Sequence, residues 1–160
     1  MRKKDLKWYK GLIKERFRGI YDLVKDEKIG YYVEDEGIEL ICIGYDPILT
    51  IVKGDVIPTL LAVKKAGINS IPYAVVDEGA IKYLLNGADV MVPGITKVSE
   101  FSKGDIVAVW EPTESSPIVI GKALLNSNEV KERSKGKAIK NLHYAGDKIW
   151  KLIIKYLRGS

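Results

Sequence analysis

VDEGAIKYLLNGADVMVPGI, residues 76–95, carries the signals of a short helix, a closing turn and a strand in immediate succession. Asp77 is placed to cap the helix, because its carboxylate can accept from the free amides of the first turn. Ile81, Leu84 and Leu85 then recur at helical spacing and form the stripe expected to be buried. Asn86 and Gly87 tolerate the left-handed backbone that ends a helix, and Ala88–Val92 reads as a strand stopped by Pro93 and Gly94. Small residues stand at Gly79, Ala80, Gly87, Ala88 and Gly94, where low bulk would let another backbone approach. Turn geometry accounts equally well for each glycine taken alone.

Downstream of this run the chain reads as strand-rich. KGDIVAVW (Lys103–Trp110), PIVIGKALL (Pro117–Leu125) and the segment from Gly136 to Tyr144 are expected strands, and DKIWKLIIKYL from Asp147 is an expected C-terminal helix. Trp110 and Trp150 are expected inside. Upstream, apolar positions at Leu12, Ile13, Phe17, Ile20, Leu23 and Val24 predict helix over Asp5–Lys25, broken in register at Gly11 and Gly19. Strands are expected around Ile29–Val33, Ile38–Ile43 and Ile48–Val52, followed by a helix capped at Thr59 and ended by Gly67. The composition changes between Gly67 and Pro72, which places two domains at 1–70 and 71–157 in an α+β chain.

The 160 residues are 46% hydrophobic, enough for a packed core, and carry a net charge of +5. A basic chain favours a polyanionic partner. The charge concentrates between Lys131 and Lys140, where Lys131, Arg133, Lys135, Lys137 and Lys140 face only Glu132. If Gly136–Tyr144 is a strand, Lys135 and Lys137 share a face while Lys140 projects from the other or lies beyond a twist. Such lysines also suit an edge strand guarded against aggregation. Glutamine is absent and lysine, glutamate and isoleucine are abundant, which suggests a thermophilic source. A melting temperature of about 45–65 °C would contradict that.

Chemistry is scarce. With one histidine, His143, and one cysteine, Cys42, a structural zinc site of the usual kind cannot be assembled, and no disulfide can form within the chain. Cys42 lies in an apolar strand, as a buried small hydrophobe would. Glu34, Asp35 and Glu36 are adjacent in a turn, so their side chains diverge and define no acid/base pair. Neither a P-loop nor a GxGxxG run occurs. No catalytic residue, metal or cofactor is expected, and the chain is read as a non-enzyme. No run reaches the length of a membrane span, the glycines weaken a membrane-surface reading of the basic, aromatic N-terminal helix, and MRKKDLKWYK lacks the apolar core of a signal peptide. A cytoplasmic location without a membrane partner is the expectation.

The 76–95 run resembles the opening of a PUA domain, the RNA-binding module of pseudouridine synthases and archaeosine transglycosylases. The 103–110 and 117–125 segments and GKAIKNLHYAGDKIW (Gly136–Trp150) match that family in order. EGIELICIG (Glu36–Gly44) and IPTLLAVKK (Ile57–Lys65) resemble the domain preceding the PUA module in the malignant T-cell amplified protein and its relative ligatin. The resemblance, archaeal in type, implies a small N-terminal α/β pre-PUA domain followed by a PUA pseudo-barrel of strands with short helices. It implies an RNA surface of Gly79, Ala80, Lys82, Gly87, Ala88, Val90, Pro93 and Gly94, flanked by Lys97, Lys135, Lys137 and His143. His143 is read either as a packed ring with a satisfied nitrogen or as a base contact. The implied RNA is ribosomal or transfer RNA, with the small ribosomal subunit or a translation-factor protein as further partner, in initiation, reinitiation or recycling. Two alternatives stand beside it: an accessory specificity subunit of an RNA-modifying enzyme, and a protein-interaction module.

Overall fold

In the computed structural model, which describes residues 1–159, the chain forms two compact units. One comprises Met1–Ile71 and the residues from Lys148 on, and the other comprises Pro72–Asp147. The fold is α+β.

In the first unit, helix α1 (Lys3–Arg16) leads into a 3₁₀ segment, Arg18–Leu23, and then a four-stranded antiparallel meander. Its strands are β1 (Gly30–Asp35), β2 (Ile38–Ile43), β3 (Asp46–Val52) and β4 (Asp55–Pro58), in that order. Helix α2 (Leu60–Ala66) follows, capped as expected by Thr59, whose hydroxyl oxygen accepts from the Ala62 N–H at 3.1 Å. Strand β4 was not expected. It is four residues long and half of it is a turn-like Asp and Pro, too short for alternation to reveal. Nor does Gly11 break α1, which runs on to Arg16 and gives way at Phe17.

The second unit contains a six-stranded sheet with the order β6-β10-β9-β8-β5-β7. These strands are β5 (Tyr73–Val76), β6 (Val90–Met91), β7 (Ile95–Val98), β8 (Ile106–Trp110), β9 (Pro117–Ala123) and β10 (Lys137–Tyr144). Only β5 and β8 pair in parallel. Its two edge strands, β6 and β7, are joined through a single 3₁₀ turn, Val92–Gly94, so the sheet must curl into a nearly closed pseudo-barrel. Val76, Val90, Val107, Val109, Val119 and Ile139 fill its interior. Two short helices, α3 (Glu78–Leu84) and α4 (Ser127–Glu132), complete the unit.

The expected second domain runs on to residue 157, whereas the last helix, α5 (Lys148–Gly159), packs with the first unit. Its Ile149, Leu152 and Ile153 are buried in one cluster with Leu40 and Cys42 of β2. Trp110 is buried as expected, while Trp150 is only half-buried. Burial pushes the Cys42 thiol up to about 11, against a hydrogen bond with Tyr156 that pulls the other way, so it stays a neutral packing group. Of the two expectations for Lys140, the one beyond an irregularity is the one found. Lys135 precedes β10, and an irregularity between Lys137 and Ile139 buries Ala138 and Ile139 consecutively.

The β8–β9 connection is organised around one carboxylate. Glu111 accepts from the Thr113 hydroxyl at 2.7 Å and from the N–H groups of Thr113, Ser115 and Ser116 at 2.8, 2.7 and 3.0 Å. These bonds, the Thr113 hydroxyl foremost, together outweigh the opposing effect of burial and hold its carboxyl down at about 2. Because the folded value lies below the ordinary 4.5, the contribution to stability is complete above that pH and is lost as pH falls toward 2. Carboxyl NMR titration should therefore show Glu111 ionised down to about pH 2. A midpoint near 4.5 would mean the loop is open in solution.

Candidate nucleic-acid interface

The 76–95 run is laid across the two edges of the pseudo-barrel. Asp77 caps α3 as expected, its Oδ1 accepting from the Ala80 N–H at 3.0 Å. The helix closes at a left-handed glycine: Gly87, at φ +92°, donates to the Leu84 carbonyl at 3.0 Å, and Ala88 donates to that of Tyr83 at 3.1 Å. Leu84 is buried and Ile81 packs partly against the core. Leu85 is not part of that stripe; it lies past the last helical residue and is exposed.

Two residues that the sequence did not single out lock this run to β10. The Asn141 side-chain amide donates to the carbonyls of Leu84 and Ala88 at 3.1 and 3.0 Å, and its backbone N–H donates to Asp89 Oδ1 at 2.9 Å. Burial raises the Asp89 carboxyl, but the Asn141 N–H and the Lys137 ammonium, 3.3 Å away, outweigh it and hold the group below the usual carboxylate range. Asp89 is therefore an ionised anchor at neutral pH. Neither residue belongs to a local motif; they meet across a separation of 52 positions.

A groove of about 810 Å³ opens between α3, the turn and β6. Of the expected site residues, Gly79, Ala80, Gly87, Ala88, Val90, Pro93, Gly94 and Lys137 line it. Val90 is only 1% exposed, and its side chain belongs to the core. The three glycines differ in what they do. Gly87 is required by its positive φ, and a Cβ on Gly94 would come within 3.2 Å of the Ala80 Cβ, so both serve the fold. A Cβ on Gly79 would meet nothing closer than Asp77 Oδ1 at 3.5 Å. The smallness of Gly79 is not demanded by the protein's own packing.

Tyr83 and Met91 were missed by the sequence reading. Both line the groove with exposed side chains, 59% and 45% respectively. The signal for Tyr83 was its spacing: four residues after Gly79 and three after Ala80, it projects from the same helix face. Lys82 stands beside it with its ammonium 5.1 Å from the ring centroid, which leaves an aromatic surface and a cation side by side.

The remaining candidates separate from the groove. Lys135 is exposed in the turn before β10. Lys97 lies on β7, paired with Glu114 at 3.3 Å, and lines a different concavity. His143 is withdrawn as a nucleotide contact. It is completely buried in β10, and the Asp147 carboxylate accepts from its Nδ1 at 2.9 Å. Among the described residues no group of histidine, cysteine, aspartate or glutamate is arranged to hold a metal ion, and no helix is long and apolar enough to cross a membrane.

A pseudo-barrel in which a capped helix and a glycine turn lead into a short edge strand is the architecture of PUA domains, and the PUA domain family matches residues 72–145. An uncharacterised protein of Methanocaldococcus jannaschii is 42% identical over 153 residues, covering 92% of this chain and 91% of that protein. A hypothetical protein from the hyperthermophilic archaeon Pyrococcus horikoshii has a similar structure, with a TM-score of 0.81 and 32% identity, covering 96% of this chain and 97% of its own. Translation machinery-associated protein 20 of Schizosaccharomyces pombe is 36% identical over 107 residues, and the match spans 59% of its length. The chain belongs to the same family as the Methanocaldococcus and Pyrococcus proteins, its residues 72–145 match the PUA domain, and it is similar in part to the fission-yeast protein and to human malignant T-cell-amplified sequence 2.

Proposed function

We propose that the protein binds structured RNA, ribosomal or transfer RNA, without transforming it, and that it serves translation in initiation, reinitiation or recycling. The observation that carries the binding reading is Gly79: an unfilled position on the first turn of α3, opening into a groove with an exposed aromatic ring and the Lys82 ammonium beside that ring. A sugar-phosphate chain can come close to backbone amides there, and a base can stack on Tyr83. A shallow site of this kind suits recognition of shape, a stem end or a 3′ tail more than a base sequence. The burial of His143 and the neutrality of Cys42 support binding without catalysis. The translation reading draws on the fission-yeast relative, whose name places it with the translation machinery.

Sedimentation with purified ribosomal subunits tests this role. The protein should travel with the small subunit at low salt and come off as salt rises, because bound cations are exchanged for counterions. Failure to associate at low salt, alongside a binding-competent control factor, would overturn the translation role.

A further inference from the structure

The groove itself is poorly supplied with positive charge for a nucleic-acid site. The charged residues lining it are Asp77, Asp89 and Lys137. Asp77 is occupied in capping α3, and Lys137 is already neutralised by Asp89. Apolar and small residues form the rest, so the groove can recognise shape but has little with which to neutralise phosphates.

On the other side of the Val92–Gly94 turn lies a second concavity, of about 510 Å³, between β7 and α4. Pro93 lines both. Lys97, Lys131 and Arg133 line the second, with no acidic side chain among the described lining residues. Lys97 and Arg133 reach Glu114 and Glu129 at 3.3 and 3.1 Å, but all four side chains are more than a third exposed to water, so these pairs are weak and readily exchanged for a phosphate. Lys131 makes no ion pair among the described residues. The platform beneath them is well fixed: α4 begins with a complete capping box, Asn126 and Glu129 each bonding the other's backbone N–H.

We propose that the concavity between β7 and α4 is the phosphate-binding half of the RNA site. An RNA strand whose end or turn seats against Gly79 and Tyr83 crosses Pro93 and lays its neighbouring phosphates on Lys97, Lys131 and Arg133. The proposal rests on the RNA reading of the groove and divides its labour: shape is read on one side of the turn, and charge is neutralised on the other. The basic patch of residues 131–140 is thereby split, with Lys131 and Arg133 on the electrostatic side and Lys137 in the groove.

The test is the salt dependence of binding, measured with a stem–loop RNA bearing a single-stranded 3′ extension and, in parallel, with bulk transfer RNA. The triple variant Lys97→Ala, Lys131→Ala, Arg133→Ala should bind about tenfold more weakly or worse at low salt. The slope of log affinity against log salt should shrink by about two units, since each lost phosphate contact removes about 0.7–0.9. A control triple variant on α5, Lys148→Ala, Lys151→Ala, Lys155→Ala, removes the same charge elsewhere and should leave the slope unchanged. An unchanged slope in the first variant, or an equal fall in both, overturns the second site while leaving the groove in place. No binding of either RNA by the wild-type protein overturns both.

Discussion

Gly79→Glu is expected to leave the protein folded and to weaken RNA binding by ten- to a hundredfold, roughly 1.4–2.7 kcal/mol. The fold should tolerate the change for two reasons. The added Cβ meets only ordinary contacts, the nearest atom being Asp77 Oδ1 at 3.5 Å. A glutamate in the first turn of α3 also faces the positive end of the helix dipole and is a better helix former than glycine. Binding should suffer on both steric and electrostatic grounds, because the new side chain fills the groove beside Tyr83 and brings a negative charge up to the polyanionic strand seated there. Gly79→Ala supplies the graded comparison, with stability unchanged or raised and a smaller loss of affinity. Equal affinities for wild type and Gly79→Glu, measured by titration of a labelled stem–loop RNA, would remove the groove from the RNA surface.

The largest effect on stability is expected at Gly19. A Cβ there would lie 2.1 Å from the Ser70 carbonyl oxygen and 2.5 Å from its Cα, contacts with backbone that no rotamer change relieves. Gly19→Ala should therefore cost about 3 kcal/mol, at the upper end of overpacking penalties, and lower the melting temperature by about 6–12 °C. Gly11→Ala is its counterpart. Nothing lies within 4 Å of a Cβ at Gly11, which sits inside α1, so the substitution should stabilise by about 0.5–1 kcal/mol. Thermal or urea unfolding of the two variants should move in opposite directions. If Gly19→Ala unfolds like the wild type, the close approach of the 3₁₀ segment to Ser70 does not exist in solution.

These two glycines show where sequence reading stops. Both interrupt the same apolar pattern, and from the sequence both are helix breaks. Only the position of Ser70, 51 residues away, separates a tolerated glycine from a required one. The site shows the same division. Asp77 and Gly87 were legible because a cap and a left-handed turn are made by neighbours in the chain. Tyr83 was within reach through helical spacing. Asn141 and Asp89 were not, since each is an ordinary polar residue until β10 brings them together. The sequence around His143 allows either packing or base contact, and its complete burial decides for packing.

The sequence by itself determined the class of fold and the helix–turn–strand run at its centre. Those features rest on caps, turn conformations and alternation, interactions spanning a few residues, and the ordered run of motifs carried the family. Tertiary structure alone decided three further things. It set α5 with the first unit, distinguished Gly79 from the glycines that the fold itself needs, and divided the basic residues between a largely apolar groove and a charged concavity on either side of Pro93. Each depends on which distant residues share a surface or are buried together, and the curling of the sheet that brings β6 and β7 to one turn determines that.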